Sequence, residues 1–256
     1  MELLFLGTGG CRYCMIKQRR QTGGFILRDG DFMLAVDPGP GALVHGIRNG
    51  VDFGELDGIF VSHPHLDHEG DAEILIEGMT DGCKTDRGVL ISNKDYLRSD
   101  NTSSSISTYH RQAVGEELIV EDGDEYIFEN GIKLQFLEVD HKNVTTTGFK
   151  LTKNGKTFSY IPDTDMFDEL PKKFEESDYM VVSCARPYSD SWKGHLGLYN
   201  VIELEEHIDP EKLFVTHLGT KFIENIDRES QIILDNGLED TVEIAEDNKS
   251  YWLKLE

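Results

Sequence analysis

The chain has 256 residues, 38% hydrophobic and 29% charged, which is apolar enough to close a core and argues against a disordered or coiled-coil protein. Forty-eight acidic residues against 25 basic ones give a formal charge of −23, a field that disfavours long nucleic acid, because binding it needs lysines and arginines on the phosphates. No apolar run reaches the about 20 residues that span a bilayer, and the run from Leu3 to Leu6 is too short for a signal peptide, so a cytoplasmic protein without membrane attachment is expected. The four cysteines, Cys11, Cys14, Cys83 and Cys184, are too scattered for a disulfide framework.

In chain order, short β-type runs are expected at 2–6, 24–28, 32–36 and 58–62, with Gly and Asp between them. Ala72, Leu75, Ile76 and Met79 stand at helical spacing. A strand follows at 89–92. The polar stretch 98–108 reads as a mobile loop or a helix lead-in, within an inserted lid region around 93–115. Strands are expected again at 132–139, 146–152, 157–161, 179–184 and 213–216, with helices over 197–207 and 224–236. Residues 241–254 alternate around Asp247-Asn248 and predict a closing strand pair. With no repeat and no linker, the reading is one layered α/β domain over 1–256.

The chemistry concentrates in Phe60-Val-Ser-His-Pro-His-Leu-Asp-His-Glu-Gly, where His63, His65, Asp67 and His68 fall between an apolar strand and a helical pattern. An extended backbone points His63 and His65 the same way, and imidazoles with a carboxylate suit zinc, and also manganese or iron. Similar side chains end other apolar runs: Asp37 after 32–36, His141 after 134–140, Asp163 after 158–162 and His217 after 213–216. Ligands carried on several strand ends converge at one edge of a sheet.

His63-x-His65-x-Asp67-His68, with Asp37 before it and His141, Asp163 and His217 after it, resembles the metallo-β-lactamase superfamily over nearly the whole chain. The resemblance implies a four-layer αββα sandwich with a dinuclear site at one rim. It implies one metal on His63, His65 and His141, a second on Asp67, His68 and His217, Asp163 bridging them, and Asp37 orienting a ligand by hydrogen bonding. Two divalent ions, zinc or alternatively manganese or iron, about 3.5–4 Å apart lower the pKa of a shared water toward neutrality. Hydrolysis by a metal-bridging hydroxide is then the expected reaction, with Asp67 and His195 as the catalytic side chains.

His195 lies in Trp192-Lys-Gly-His-Leu-Gly, ahead of the last ligand. This layout is similar to the branch of tRNase Z and the small phosphodiesterases, and implies that His195 contacts the phosphate or protonates the leaving alkoxide, a step metals leave undone. A histidine satisfied locally at a helix start is the plainer alternative. Gly7-Thr-Gly-Gly10, Arg19-Arg20-Gln-Thr-Gly-Gly and Asp163-Thr164 resemble the same branch. Gly-rich turns admit anions and Arg20 or Arg186 could clamp one, although a simple turn and solvated arginines explain them equally well.

The flexible basic arm of tRNase Z has no counterpart, so a small anionic phosphodiester is the expected substrate rather than tRNA. Alternatives are a carboxylic ester, thioester or lactone hydrolase of the same fold, or a silent metal-binding protein. A homodimer stays open. Cys11 and Cys14 could form half of a structural zinc site completed by Cys83, Cys184 or His207, or be two thiols beside a turn. His45 and His110 read as surface histidines, with His110 facing the cleft if the insertion forms a lid.

Overall fold

The computed structural model describes residues 1–98 and 106–255, so most of the polar stretch read as a loop or helix lead-in, 99–105, lies outside the described residues. The first strands are β1 (Glu2–Phe5), β2 (Phe25–Asp29), β3 (Phe32–Val36), β4 (Gly58–Val61), β5 (Arg87–Ser92) and β6 (Val114–Ile119). Then come β7 (Glu125–Ile127), β8 (Lys133–His141), β9 (Val144–Lys153), β10 (Lys156–Ile161) and β11 (Tyr179–Arg186). The last are β12 (Leu196–Gly197), β13 (Lys212–Thr216), β14 (Val242–Ile244) and β15 (Ser250–Trp252). The helices begin with α1 (Cys11–Lys17), α2 (Ala42–Arg48), α3 (Leu66–Glu69), α4 (Ala72–Met79) and α5 (Lys94–Leu97). They continue with α6 (Thr108–Arg111), α7 (Leu170–Lys173), α8 (Leu198–Ile208), α9 (Thr220–Glu224) and α10 (Ile226–Asp235).

These elements form two compact units. The first comprises Met1–Thr8, Arg20–Val120 and Glu246–Lys254, and holds a seven-stranded sheet in the order β15-β1-β2-β3-β4-β5-β6. Strands β15, β1, β2 and β3 pair antiparallel, and β3 to β6 pair parallel. Leu4, Ile26, Ala35, Ile59, Val61 and Leu90 pack with Ala42 of α2 and Leu75, Ile76 and Met79 of α4 in one core. The alternate residues Leu3, Phe5, Leu27, Leu34, Phe60 and Ile91 are buried as well. A strand buried on both faces needs no polar alternation, which is why these strands read as continuous apolar runs.

The second unit comprises Gly9–Arg19, Glu121–Ala245 and Leu255. Its sheet runs β14-β13-β11-β10-β9-β8-β7, with β12 beside β11. Strands β7 to β10 pair antiparallel and β10, β11, β13 and β14 pair parallel. Asn154 and Gly155, with φ of 51° and 80°, close the β9–β10 hairpin, the backbone that a two-residue turn between twisted strands demands. Leu198, Val201 and Ile202 of α8 pack on Met180, Val182, Leu213 and Val215.

The closing strand pair over 241–254 does not form. Its halves lie in different sheets: β14 pairs parallel with β13, and β15 pairs antiparallel with β1. Asp247, read as a hairpin turn, instead accepts hydrogen bonds from Thr8 N–H (2.8 Å), the Thr8 hydroxyl (2.7 Å) and Gln21 N–H (3.0 Å). Strands β6 and β7 escape the apolar pattern because each is an edge of its sheet, where charged side chains are tolerated.

Candidate metal centre

In the first unit the site is built where β3 and β4 end side by side. Asp37, one residue past β3, adopts φ 47°, a left-handed conformation that Asp tolerates better than most residues. Its buried carboxylate accepts the Ser62 N–H at 2.6 Å and the Ser62 hydroxyl at 2.6 Å, and lies 2.8 Å from His68 Nδ1. These contacts fix two tautomers. The His68 proton sits on Nδ1, facing a group that only accepts, so its lone pair is on Nε2. Ser62 gives its one proton to Asp37, so it accepts from His63 Nδ1 at 3.0 Å, and His63 too presents Nε2.

His63 Nε2 lies 2.8 Å from Nδ1 of the exposed His65. That is close to the about 3.3 Å between two nitrogens on a tetrahedral zinc with bonds of about 2.0–2.1 Å. The Asp67 carboxylate stands 3.9 Å from His68 Nε2. Gly39 has to be glycine here: a Cβ would come within 2.1 Å of the Asp67 carbonyl oxygen. The donor set of this unit therefore suits a divalent cation, with the lone pairs of His63 and His68 held on Nε2.

In the second unit His141 ends β8 at the tip of the β8–β9 hairpin. Its Nδ1 lies 2.6 Å from the Gly194 carbonyl oxygen, so it donates there and presents Nε2. Asp163, two residues past β10 and buried, has Oδ1 at 3.0 Å from His217 Nδ1 and Oδ2 at 3.3 Å from His195 Nε2. His217 follows β13 with φ 58°, and its Nε2 accepts the Cys11 N–H at 3.3 Å. A cation bound at His217 Nε2 would displace the Cys11 N–H, whereas one bound at Nδ1 would lie beside the Asp163 carboxylate.

Donor atoms of His141, Asp163 and His195 lie within 4.8 Å of one another, so His195 sits among this unit's expected ligands. Its ring stacks on Trp192 at 4.5 Å and 6° and meets the His141 ring edge-on at 5.0 Å. Trp192 also lies under Lys142 Nζ at 4.3 Å and Arg186 Cζ at 5.6 Å, so cation–π attraction holds the plate on which His195 rests. Sequence reasoning missed Trp192; its place three residues before His195 was the available signal.

The remaining candidates are placed as follows. Arg186 pairs with Asp190, and Arg20 Nη1 donates to the Thr8 hydroxyl at 2.8 Å. The Gly-rich start serves packing: a Cβ on Gly10 would lie 2.1 Å from His217 Cδ2, and one on Gly7 2.3 Å from Gly23 N. Among the described residues neither Cys11 nor Cys14 belongs to a cluster of three candidate ligands. Cys184 lies in the apolar core, where burial pushes its thiol well above the usual range. His207 bonds its own helix through the Glu203 carbonyl. His110 lies against Glu73 and Glu77 of α4.

A model of the beta-lactamase superfamily domain matches residues 34–218, a span that contains Asp37, all seven expected ligands and His195. The chain belongs to the metallo-β-lactamase superfamily. It is 30% identical over 225 residues to the uncharacterized protein MJ1374 of Methanocaldococcus jannaschii, covering 86% of this chain and 84% of that one. It superposes on the metallo-β-lactamase fold protein YhfI of Bacillus subtilis with a TM-score of 0.76 at 19% identity, over 98% of each chain. A diphosphatase of the PhnP family superposes with a TM-score of 0.74 at 18% identity, over 99% of this chain and 98% of that one. The expected α/β sandwich of the metallo-β-lactamase fold is the fold of this chain. It is a metal-dependent hydrolase whose fold implies divalent metal ions. Among the described residues no helix is long and apolar enough to cross a membrane.

Proposed function

We propose that this protein is a dinuclear phosphodiesterase acting on a small phosphodiester, with zinc as the metal. His63, His65 and His141 would hold one ion and Asp67, His68 and His217 the other, with Asp163 shared between them. Two such cations would lower the pKa of a water toward neutrality and offset charge developing on the phosphoryl oxygens. The chain's own residues do the rest. Asp37 and Ser62 keep the lone pairs of His68 and His63 on Nε2, and Gly194 does the same for His141. His195 delivers a proton to the departing alkoxide, which is too basic to leave without one.

The observation that carries this reading is the seat of His195, stacked on Trp192 with Nε2 at 3.3 Å from Asp163 Oδ2. A hydrolase of thioesters or lactones has less use for a clamped proton donor beside its ligands. The diphosphatase activity of the PhnP-family relative also favours phosphorus chemistry, and the net charge of −23 favours a small substrate over a long polyanion.

His195→Ala tests the proposal. The variant should keep its metal content and lose about 10²–10⁴-fold on an alkyl phosphodiester, the usual share of general acid–base catalysis. On an aryl phosphodiester, whose phenolate leaves unaided, the loss should be much smaller. Equal losses on both substrates, or a wild-type protein that opens thioesters or lactones and no phosphodiester, would overturn the reading.

A further inference from the structure

The first unit carries another group of donors that shares no residue with the set above. Glu77 lies in the last turn of α4, Cys83 in the turn that follows and His110 on α6, and one donor atom from each lies within 4.8 Å of the others. The three are partly buried, and the His110 side chain is only 15% exposed. His110 Nδ1 lies 2.8 Å from the Ser107 hydroxyl and 3.2 Å from a Glu73 carboxylate oxygen, while Nε2 lies 3.2 Å from Glu77 Oε1.

A neutral imidazole has one N–H. On Nδ1 it faces Glu73 and leaves the Nε2 lone pair toward the Glu77 carboxylate; on Nε2 it donates to Glu77 and Nδ1 accepts the Ser107 hydroxyl proton. Lone pairs facing each other at this distance repel unless something positive lies between them. With the proton on Nδ1, that is either a second proton on the ring or a cation, and the cluster of donors provides for the cation. A histidine backed by a carboxylate, with a thiol and another carboxylate in front, has the ligands and the backing of a zinc site. Among the described residues the other partly buried cysteine, Cys11, belongs to no such cluster of three.

We propose that Glu77, Cys83 and His110 bind a zinc-class divalent cation, with solvent in the fourth position. On binding, the Cys83 thiol gives its proton to solvent and the thiolate joins the metal. The ion fastens α6 to α4 through three protein ligands and leaves one position to solvent.

The test is cobalt(II) titration of the full-length protein after its metals have been stripped with chelator. A thiolate-to-cobalt charge-transfer band should appear in the near ultraviolet, and no residue of the His63 to His217 set can produce one because that set has no cysteine. Cys83→Ser and His110→Ala should each abolish the band and bind one equivalent less cobalt. As a check that needs no variant, zinc should protect Cys83 from iodoacetamide in the wild-type protein while Cys11 stays reactive. Absence of the band, its persistence in Cys83→Ser, or equal alkylation of Cys83 with and without zinc would each overturn the site in favour of an imidazolium held between Glu73 and Glu77.

Discussion

One methyl group separates Gly10 from a collision with His217. A Cβ there would lie 2.1–2.3 Å from three atoms of the imidazole, a distance no side chain accepts. The ring cannot step aside cheaply, because the Cys11 N–H holds one nitrogen and Asp163 faces the other. Gly10 itself has an ordinary extended backbone, with φ −144°, so Gly10→Ala adds bulk without backbone strain. The variant should keep its circular dichroism spectrum and lose metal affinity about 10–100-fold, as when a group orienting a ligand is removed. Equilibrium dialysis against zinc measures this, and wild-type affinity would refute the packing role. The glycines were legible in the sequence as punctuation, but the reason for Gly10 was not. That reason lies in a residue 207 positions away (217 minus 10), and no local pattern records it.

At the scale of elements, the parallel register of β3 and β4, which sets Val36 opposite Phe60, brings Asp37 alongside Ser62 and His68. Asp37→Asn keeps the size and tolerates φ 47°, so any effect belongs to the lost acceptor. If the amide nitrogen faces His68 Nδ1, that nitrogen must accept, and the proton moves to Nε2, the atom the ligand needs. If it faces the Ser62 N–H instead, two donors meet in a buried site, at a cost of about 1–3 kcal/mol. We expect Asp37→Asn to bind metal at least tenfold more weakly and to melt lower, and unchanged values for both would remove Asp37 from this role. The ligand positions were readable for the same structural reason. His141 is the last residue of β8, and Asp163 and His217 come within two residues of β10 and β13, so each follows an apolar run that announces its strand. Strands buried on both faces are easy to read, whereas the edge strands β6 and β7 carry Glu116, Glu117 and Glu125 and look like loops.

Across the whole molecule, neither unit is a continuous stretch of chain. The first unit starts the sequence, yields to the second at Gly9 and again at Glu121, and is finished by Glu246–Lys254. The fold class was legible because motif and strand runs span the chain, but this interleaving was not, since Val242 to Leu253 alternate as a hairpin would. What separates β14 from β15 is Asp247, whose carboxylate satisfies Thr8 N–H, the Thr8 hydroxyl and Gln21 N–H, with Thr8 fully buried. The chain ends are tied next to it: the Met1 ammonium donates to the Leu253 carbonyl at 2.9 Å and the Leu253 N–H to Met1 O at 2.8 Å. Asp247→Ala leaves buried donors without an acceptor, at about 1–3 kcal/mol each, and a chain of this size loses about 2–4 °C of melting temperature per kcal/mol. The substitution should therefore lower the melting temperature by several degrees while the metal content of the folded protein stays the same. Truncation after Ala245 should go further, because it also strips β15 from β1 and leaves an apolar edge strand open to pairing with other chains. That variant should aggregate on heating at a lower temperature than Asp247→Ala. If instead both variants melt like the wild type, the C-terminal segment is an ornament on the first unit and not its closing strand.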